Sequence, residues 1–272
     1  MTSKLIPSNP SEVMVIRQIT KNITTLSLPF SRFGHFHIGG RGTLVKLSSG
    51  GVAVFSPVAL TPEVKETVSK MGELRYIAAL DIEHHIFLGA WNKEYPNALI
   101  LGPEGLLEKR AKQKDEAVPI NIIFTAKEKE TTKVSAEFDA DFEYEYVDAH
   151  VNKEIVFNYK PDRTLIEADL LFNLPATEQY SKTPVDTNKG FLTRLFAALQ
   201  GTGGKALAQQ RMIWYGTSAG DRRGFAKSMQ VIRAWDFDRL VPCHGDVIET
   251  GAKGIFEKIM AWHLGKTGGT GV

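Results

Sequence analysis

The chain is short of cysteine, of net charge and of long apolar runs, and each shortage removes a class of protein. Cys243 is the single cysteine among 272 residues, so no intramolecular disulfide can form. A lone thiol fits a reducing compartment. Lysine and arginine number 33 against 31 aspartates and glutamates, a formal net charge of +2. That balance gives no electrostatic case for nucleic acid or for an anionic membrane, and no basic run supplies one locally. No stretch of 18 apolar residues occurs, and MTSKLIPSNPSEV lacks an apolar signal core. A cytoplasmic protein is therefore expected, with a small-molecule substrate or ligand as its partner and neither nucleic acid nor membrane. Internal repeats are lacking too, and no Pro/Ser/Gly-rich linker divides the chain near its middle.

What is present suits a sizeable core: 43% hydrophobic and 24% charged residues. β-Branched alternation in VMVIRQITKNITTLSLPF predicts strands, and the Ser-Gly-Gly of TLVKLSSGGVAVFSP predicts a hairpin. TPEVKETVSKMG predicts a helix capped by Thr61, with Pro62 in its first turn and Val64, Val68 and Met71 on one face. RYIAAL and ALILGP read as short strands alternating with helical HHIFLGAWNKEYP and GLLEKRAKQK. The second half begins again with INIIF, FEYEYVD and EIVFNYKPDRTLIEADLLF, the last being two strands turned by Lys-Pro-Asp-Arg. Phe225, Met229, Ile232 and Trp235 mark one amphipathic helix, and Ile255, Ile259 and Trp262 another, on either side of the short strand LVPCH.

Two halves, each with strands first and helices after, predict an α/β fold of two packed sheets with helices outside, a four-layer αββα sandwich. The expected layout is an N-terminal arm at 1–14, one domain over 15–265 and a flexible tail at 266–272. Residues 174–210 break the alternation with Pro175, Pro184, Gly201, Gly203 and Gly204 around FLTRLFAAL. Such a long interruption is expected to be a mobile lid, with Phe191, Leu192, Leu195 and Phe196 across the mouth of a site.

Five residues sit where a predicted strand gives way to a loop or helix: His84, His85, His150, Asp169 and His244. Loops at strand ends present chemistry on a fixed backbone, and imidazoles with a carboxylate suit zinc, iron or manganese. Together with GGRGTLVKL, VFSPVALTPEV, HHIFLGAW and VPCHGD, they make the chain resemble a divergent branch of the metallo-β-lactamase fold over roughly residues 15–265. In that family the first metal motif is HxHxDH. Its positions fall here on Leu80-Asp81-Ile82-Glu83-His84-His85, so two ligand positions carry Leu80 and Ile82. The family's later histidine falls on His150, its bridging acid on Asp169 and its last histidine on His244.

The resemblance implies a degenerate site holding at most one zinc or iron ion. His85, Asp169 and His244 would bind it, with His84 or His150 completing the set and His84, His150 and Asp169 serving the chemistry. It further implies a hydrolase of a small carbonyl substrate, an ester, lactone or related compound. Two other readings stay open: a non-catalytic member without metal that binds a small molecule or partner, and a mononuclear iron site with redox activity.

Several smaller features have plainer readings. His35 and His37 form an HxH pair better read as part of a hairpin than as ligands. Gly39-Gly40-Arg41-Gly42 is not a phosphate loop, because it does not open a helix, and reads as a tight backbone bend. Trp214 is expected in the core, Asp221 as a helix cap and Cys243 as a buried bystander. Asp81 and Glu83 flank the site as a supporting layer or proton shuttle.

Overall fold

The computed structural model describes residues 7–265 apart from 33, 35, 188 and 190. The expected tail at 266–272 and His35 of the HxH pair lie outside the described residues, as do the side chains of Phe191 and Leu192. The strands in chain order are β1 (Val15–Gln18), β2 (Ile23–Leu28), β3 (Ser31–Arg32), β4 (Phe36–His37), β5 (Gly40–Lys46), β6 (Val52–Phe55), β7 (Leu74–Ala78), β8 (Leu99–Pro103), β9 (Ile122–Phe124), β10 (Phe142–Val147), β11 (Glu154–Tyr159), β12 (Thr164–Glu167) and β13 (Arg239–Pro242). One sheet has the order β1-β2-β5-β6-β7-β8-β9 and another β10-β11-β12-β13, while β3 and β4 form a small hairpin of their own.

The first sheet changes character at β6. Up to there the neighbours are antiparallel: short turns join β1 to β2 and β5 to β6, the β3–β4 hairpin lies between β2 and β5 in sequence, and the Ser-Gly-Gly hairpin sets Thr43 opposite Phe55. Beyond it β6, β7, β8 and β9 run parallel, which requires crossover helices between them. The helices Pro62–Met71, Leu88–Glu94 and Leu106–Gln113 are those crossovers. Thr61 caps the first of them by accepting from the Val64 backbone N–H, and Asp221 caps the helix Arg222–Ala234 through Gly224.

Alternation along the strands sorts side chains into layers. Val45, Ala53, Phe55 and Ala78 of the first sheet meet Ile155, Phe157 and Ile166 of the second in the inter-sheet core. Leu44, Val52, Val54 and Ile77 point the other way, against Val64, Val68, Leu88, Trp91 and Leu106 of the crossover helices. Behind the second sheet Val156, Leu165 and Leu240 pack on Phe225, Met229, Ile232, Phe256 and Ile259. The expected four layers, helix, sheet, sheet and helix, are thus in place. The helix Ala136–Asp141, capped by Ser135, was not anticipated; its apolar signal is the single buried Phe138 beside acidic neighbours.

Residues 174–210 are tied down at both ends. Ala176, Gln179 and Tyr180 are buried, as are Gln209 and Gln210. Gln209 clamps Phe172 by accepting from its N–H and donating to its carbonyl, at 2.9 and 3.0 Å. Between those ends the helix Phe191–Gln200 leans on the β3–β4 hairpin through Phe36 and Phe196, whose ring centres are 4.9 Å apart. No helix among the described residues is long and apolar enough to cross a membrane.

Candidate metal centre

β12 and β13 run parallel, with Glu167 opposite Pro242. Asp169 and His244 each lie two residues past that pair, so the register itself brings them side by side. His84 arrives from the turn after β7, which lies against the start of β11 through the Ile155 N–H to Leu80 carbonyl bond of 2.7 Å. The ligand atoms of His84, Asp169 and His244 all lie within 4.8 Å of one another, the group among the described residues that could hold an ion.

Each of the three is aimed by a partner. Asp81 is fully buried; its Oδ1 accepts from the backbone N–H groups of Glu83 and His84, both at 2.7 Å, and from His84 Nδ1 at 2.9 Å. That turn commits His84 Nδ1 as a donor and leaves Nε2 facing inward. His244 Nδ1 donates to the Gly39 carbonyl at 2.7 Å, so its Nε2 also keeps a lone pair for the centre. Phe172 and Phe30 flank the His244 ring at 4.7 and 6.0 Å. Asn152 Nδ2 donates to Asp169 Oδ2 at 2.6 Å, which turns Oδ1 toward His244.

His85 and His150 stand outside this group. Consecutive residues of a turn point to different sides, and His85 faces Arg110, whose Nη1 donates to His85 Nδ1 at 3.2 Å and to its carbonyl at 2.9 Å. Of the five expected residues, His84, Asp169 and His244 are brought together, and the His85 ring lies apart from them. His150 Nδ1 accepts from the Asn152 N–H at 3.0 Å. Its Nε2 then carries the proton, directed at the Asp169 carbonyl at 3.4 Å and Glu154 Oε2 at 3.5 Å. With neither lone pair free toward the centre, His150 supports the Asp169 backbone instead of joining the ligands.

The charges match a cation site. His84 is pushed up to about 9: burial opposes protonation, but Asp81 and Asp169 outweigh it. Asp169 is held well below the usual carboxylate range; burial resists, and the rings of His84, His244 and His150 prevail. Burial and the neighbouring carboxylates raise Glu154, whose oxygens accept from the Ala168 and Asp169 N–H groups at 2.7 and 3.0 Å. Burial likewise raises Glu167, which holds the Leu170 and Leu171 N–H groups. These two glutamates fix the bend that presents Asp169.

His84 Nε2 and His244 Nε2 are 3.2 Å apart, and Asp169 Oδ1 is 3.2 Å from His244 Nε2 yet has no hydrogen-bond partner. Two ring nitrogens and a buried carboxylate oxygen aimed at one point repel unless a proton or a cation lies between them. The donor set therefore fits a borderline divalent ion such as zinc or iron. Cys243 takes no part: its thiol is buried in the inter-sheet core, and burial pushes it up.

The Gly39–Gly42 segment, read as a bend, turns out to cradle the His244 loop. The Arg41 side chain is buried; Nη1 donates to the carbonyls of Pro242 at 2.7 Å and Gly245 at 2.6 Å, and Nη2 pairs with Glu178 at 3.3 Å. Gly245 has φ +89°, and a Cβ there would meet the Asn173 carbonyl oxygen at 2.1 Å. A cavity of about 270 Å³ opens beside Asp169, lined by Leu171, Phe172, Met212 and Ile213, with Arg32 on its wall. Asp81 was flagged in the sequence only as a flank, and nothing there singled out Asn152, Glu154 or Glu167. The available signal was a run of strand-end acids, Asp81, Glu154 and Glu167, at positions where apolar residues would be expected in a buried strand.

Comparison with solved structures agrees with the layering. The DIM-1 metallo-β-lactamase superposes with a TM-score of 0.54 at 12% identity, over 93% of this chain and 98% of the other. A metallo-β-lactamase from Pontibacter korlensis gives 0.52 at 11% identity, over 92% and 98%. A flavo di-iron protein variant from Thermotoga maritima gives 0.60 at 12% identity, over 93% of this chain but 63% of the other. At such identities the likeness establishes the fold alone. No protein of curated function matches the chain by sequence. The chain has the metallo-β-lactamase fold and, through residues 35–184, belongs to the family described as a domain of unknown function, DUF4336.

Proposed function

We propose that the protein is a metal-dependent hydrolase of small carbonyl compounds, working with at most one ion held by His84, Asp169 and His244. The observation that carries this reading is the convergence of the ring atoms His84 Nε2 and His244 Nε2, 3.2 Å apart, with the buried Asp169 Oδ1, 3.2 Å from His244 Nε2. A divalent ion in such a set, when bound, lowers the pKa of a coordinated water to about 7 and polarises a carbonyl.

The chain's own residues supply the rest. Asp81 and the Gly39 carbonyl fix the ring orientations of His84 and His244, and Asn152 fixes Asp169. The adjoining cavity is mixed in character, with Leu171, Phe172, Met212 and Ile213 on one part of its lining and Asn152, Gln200, Gln209 and Thr217 on another. Its roughly 270 Å³ suits an ester or lactone of modest size.

The non-catalytic reading keeps one observation in its favour: Leu80 is fully buried in the inter-sheet core, so the family position it occupies offers no ligand. A panel of aryl esters and lactones, tested with the wild type and with His84→Ala and His244→Ala, separates the two. Hydrolysis that disappears in both variants together with bound metal supports the hydrolase. A wild type that neither hydrolyses the panel nor retains metal supports the binding protein.

A further inference from the structure

The Gly39–Gly42 bend reaches the centre from the far side of the His244 loop. Every carbonyl of that loop has a named donor. Arg41 Nη1 holds Pro242 and Gly245, Gln179 Nε2 holds Cys243 at 3.2 Å, and the Asn173 N–H holds His244 at 3.2 Å. The Gly245 N–H in turn donates to the Ile38 carbonyl at 3.1 Å. So the segment that supplies Arg41 also supplies the carbonyl that selects the His244 tautomer, since Gly39 lies just before β5 and two residues before Arg41.

We infer that Arg41 is a positioning residue for the metal centre: by clamping the carbonyls on both sides of Cys243-His244, it holds the His244 ring in register with the Gly39 carbonyl and so keeps Nε2 available as a ligand. The inference rests on His244 being a ligand. Geometry explains why arginine stands there. One guanidinium reaches two carbonyls through Nη1, Ser27 Oγ through Nε at 3.0 Å and Glu178 through Nη2. A lysine ammonium is a single point and cannot span those directions. Glu178 does double duty: its own N–H donates to Asp246 Oδ1 at 2.9 Å, just past the loop, and its Oε2 pairs with Arg17 at 2.6 Å. The start of the 174–210 segment is thereby part of the same clamp.

The test compares wild type, Arg41→Lys and Glu178→Gln by two readouts. The first is zinc affinity by competition with a chromophoric chelator. The second is the nitrogen-15 shifts of the His244 ring in metal-free protein, which report the tautomer without any ion. The expected result is a zinc Kd weakened roughly ten- to hundredfold in Arg41→Lys and to a lesser degree in Glu178→Gln, with His244 passing from one tautomer to a mixture. A purely structural role would lower the melting temperature and leave the tautomer alone. Wild-type shifts and zinc affinity in Arg41→Lys overturn the inference; should that variant not fold, the same result in the isosteric Glu178→Gln overturns it. If the metal reading itself fails, the wild type binds no zinc, while the tautomer comparison still decides whether Arg41 sets the His244 ring.

Discussion

His84 Nε2 and His244 Nε2 face each other at 3.2 Å across 160 residues of sequence. Both rings spend Nδ1 on a fixed acceptor, Asp81 in one case and the Gly39 carbonyl in the other. Their remaining nitrogens have no choice of direction. In the metal-free protein a proton on His84 can bridge them, consistent with its elevated pKa of about 9. A bound ion would replace that proton and satisfy Asp169 Oδ1 at the same time.

Two adjacent histidines should behave oppositely. His85→Ala is expected to keep metal, because its ring faces Arg110. It should instead cost about 1–3 kcal/mol of stability, the penalty for leaving a buried donor without its acceptor. His84→Ala should lose the metal. Urea unfolding and metal analysis of both variants check the pair, and metal loss in His85→Ala alone would reverse the assignment.

Asp81→Asn keeps the shape of the turn but removes the charge that fixes the His84 tautomer. Zinc affinity should fall roughly ten- to hundredfold, and the His84 ring pKa in metal-free protein should drop from about 9 toward its ordinary value. Calorimetric zinc titration and histidine NMR measure the two effects. Unchanged affinity would mean that Asp81 is only a turn residue.

The layered fold was legible because apolar residues dominate the layers. Val52, Val54 and Ala53, Phe55 alternate between the two faces of β6, and the helices at 62–71 and 222–234 carry the expected caps. The site was legible only in part. Asp169 and His244 sit just past strands that could be seen, and the parallel register aligns them. The choice between His84 and His85 depends on which way a turn faces, and that is set by Asp81 and Arg110 rather than by any local pattern. The role of Arg41 lies in contacts to a loop more than 200 residues away, beyond any reading of neighbouring residues.

Backbone strain gives a separate check. Gly245→Ala places a methyl group at φ +89°, against the Asn173 carbonyl. It should cost about 1–3 kcal/mol from the backbone alone, plus whatever the clash adds, and displace His244. Denaturant unfolding reads the first effect and zinc titration the second; a variant as stable and as tight-binding as wild type would contradict the loop geometry.

The pH dependence of metal-free protein has a predicted sign. His84 titrates at about 9 in the fold against an ordinary 6.5. A raised pKa stabilises the fold fully below pH 6.5, and the gain, on the order of 3 kcal/mol, is lost as pH rises through about 9. Chelator-treated wild type should therefore lose stability between those limits, while His84→Gln, followed by urea unfolding at each pH, should lack that loss.

The most direct test of a single-ion centre is the metal content of untagged protein, by mass spectrometry after zinc or iron loading and exhaustive dialysis. The account predicts close to one equivalent per chain in wild type, and almost none in His84→Ala, His244→Ala or Asp169→Asn. Two equivalents per chain, or none in the wild type, would contradict it.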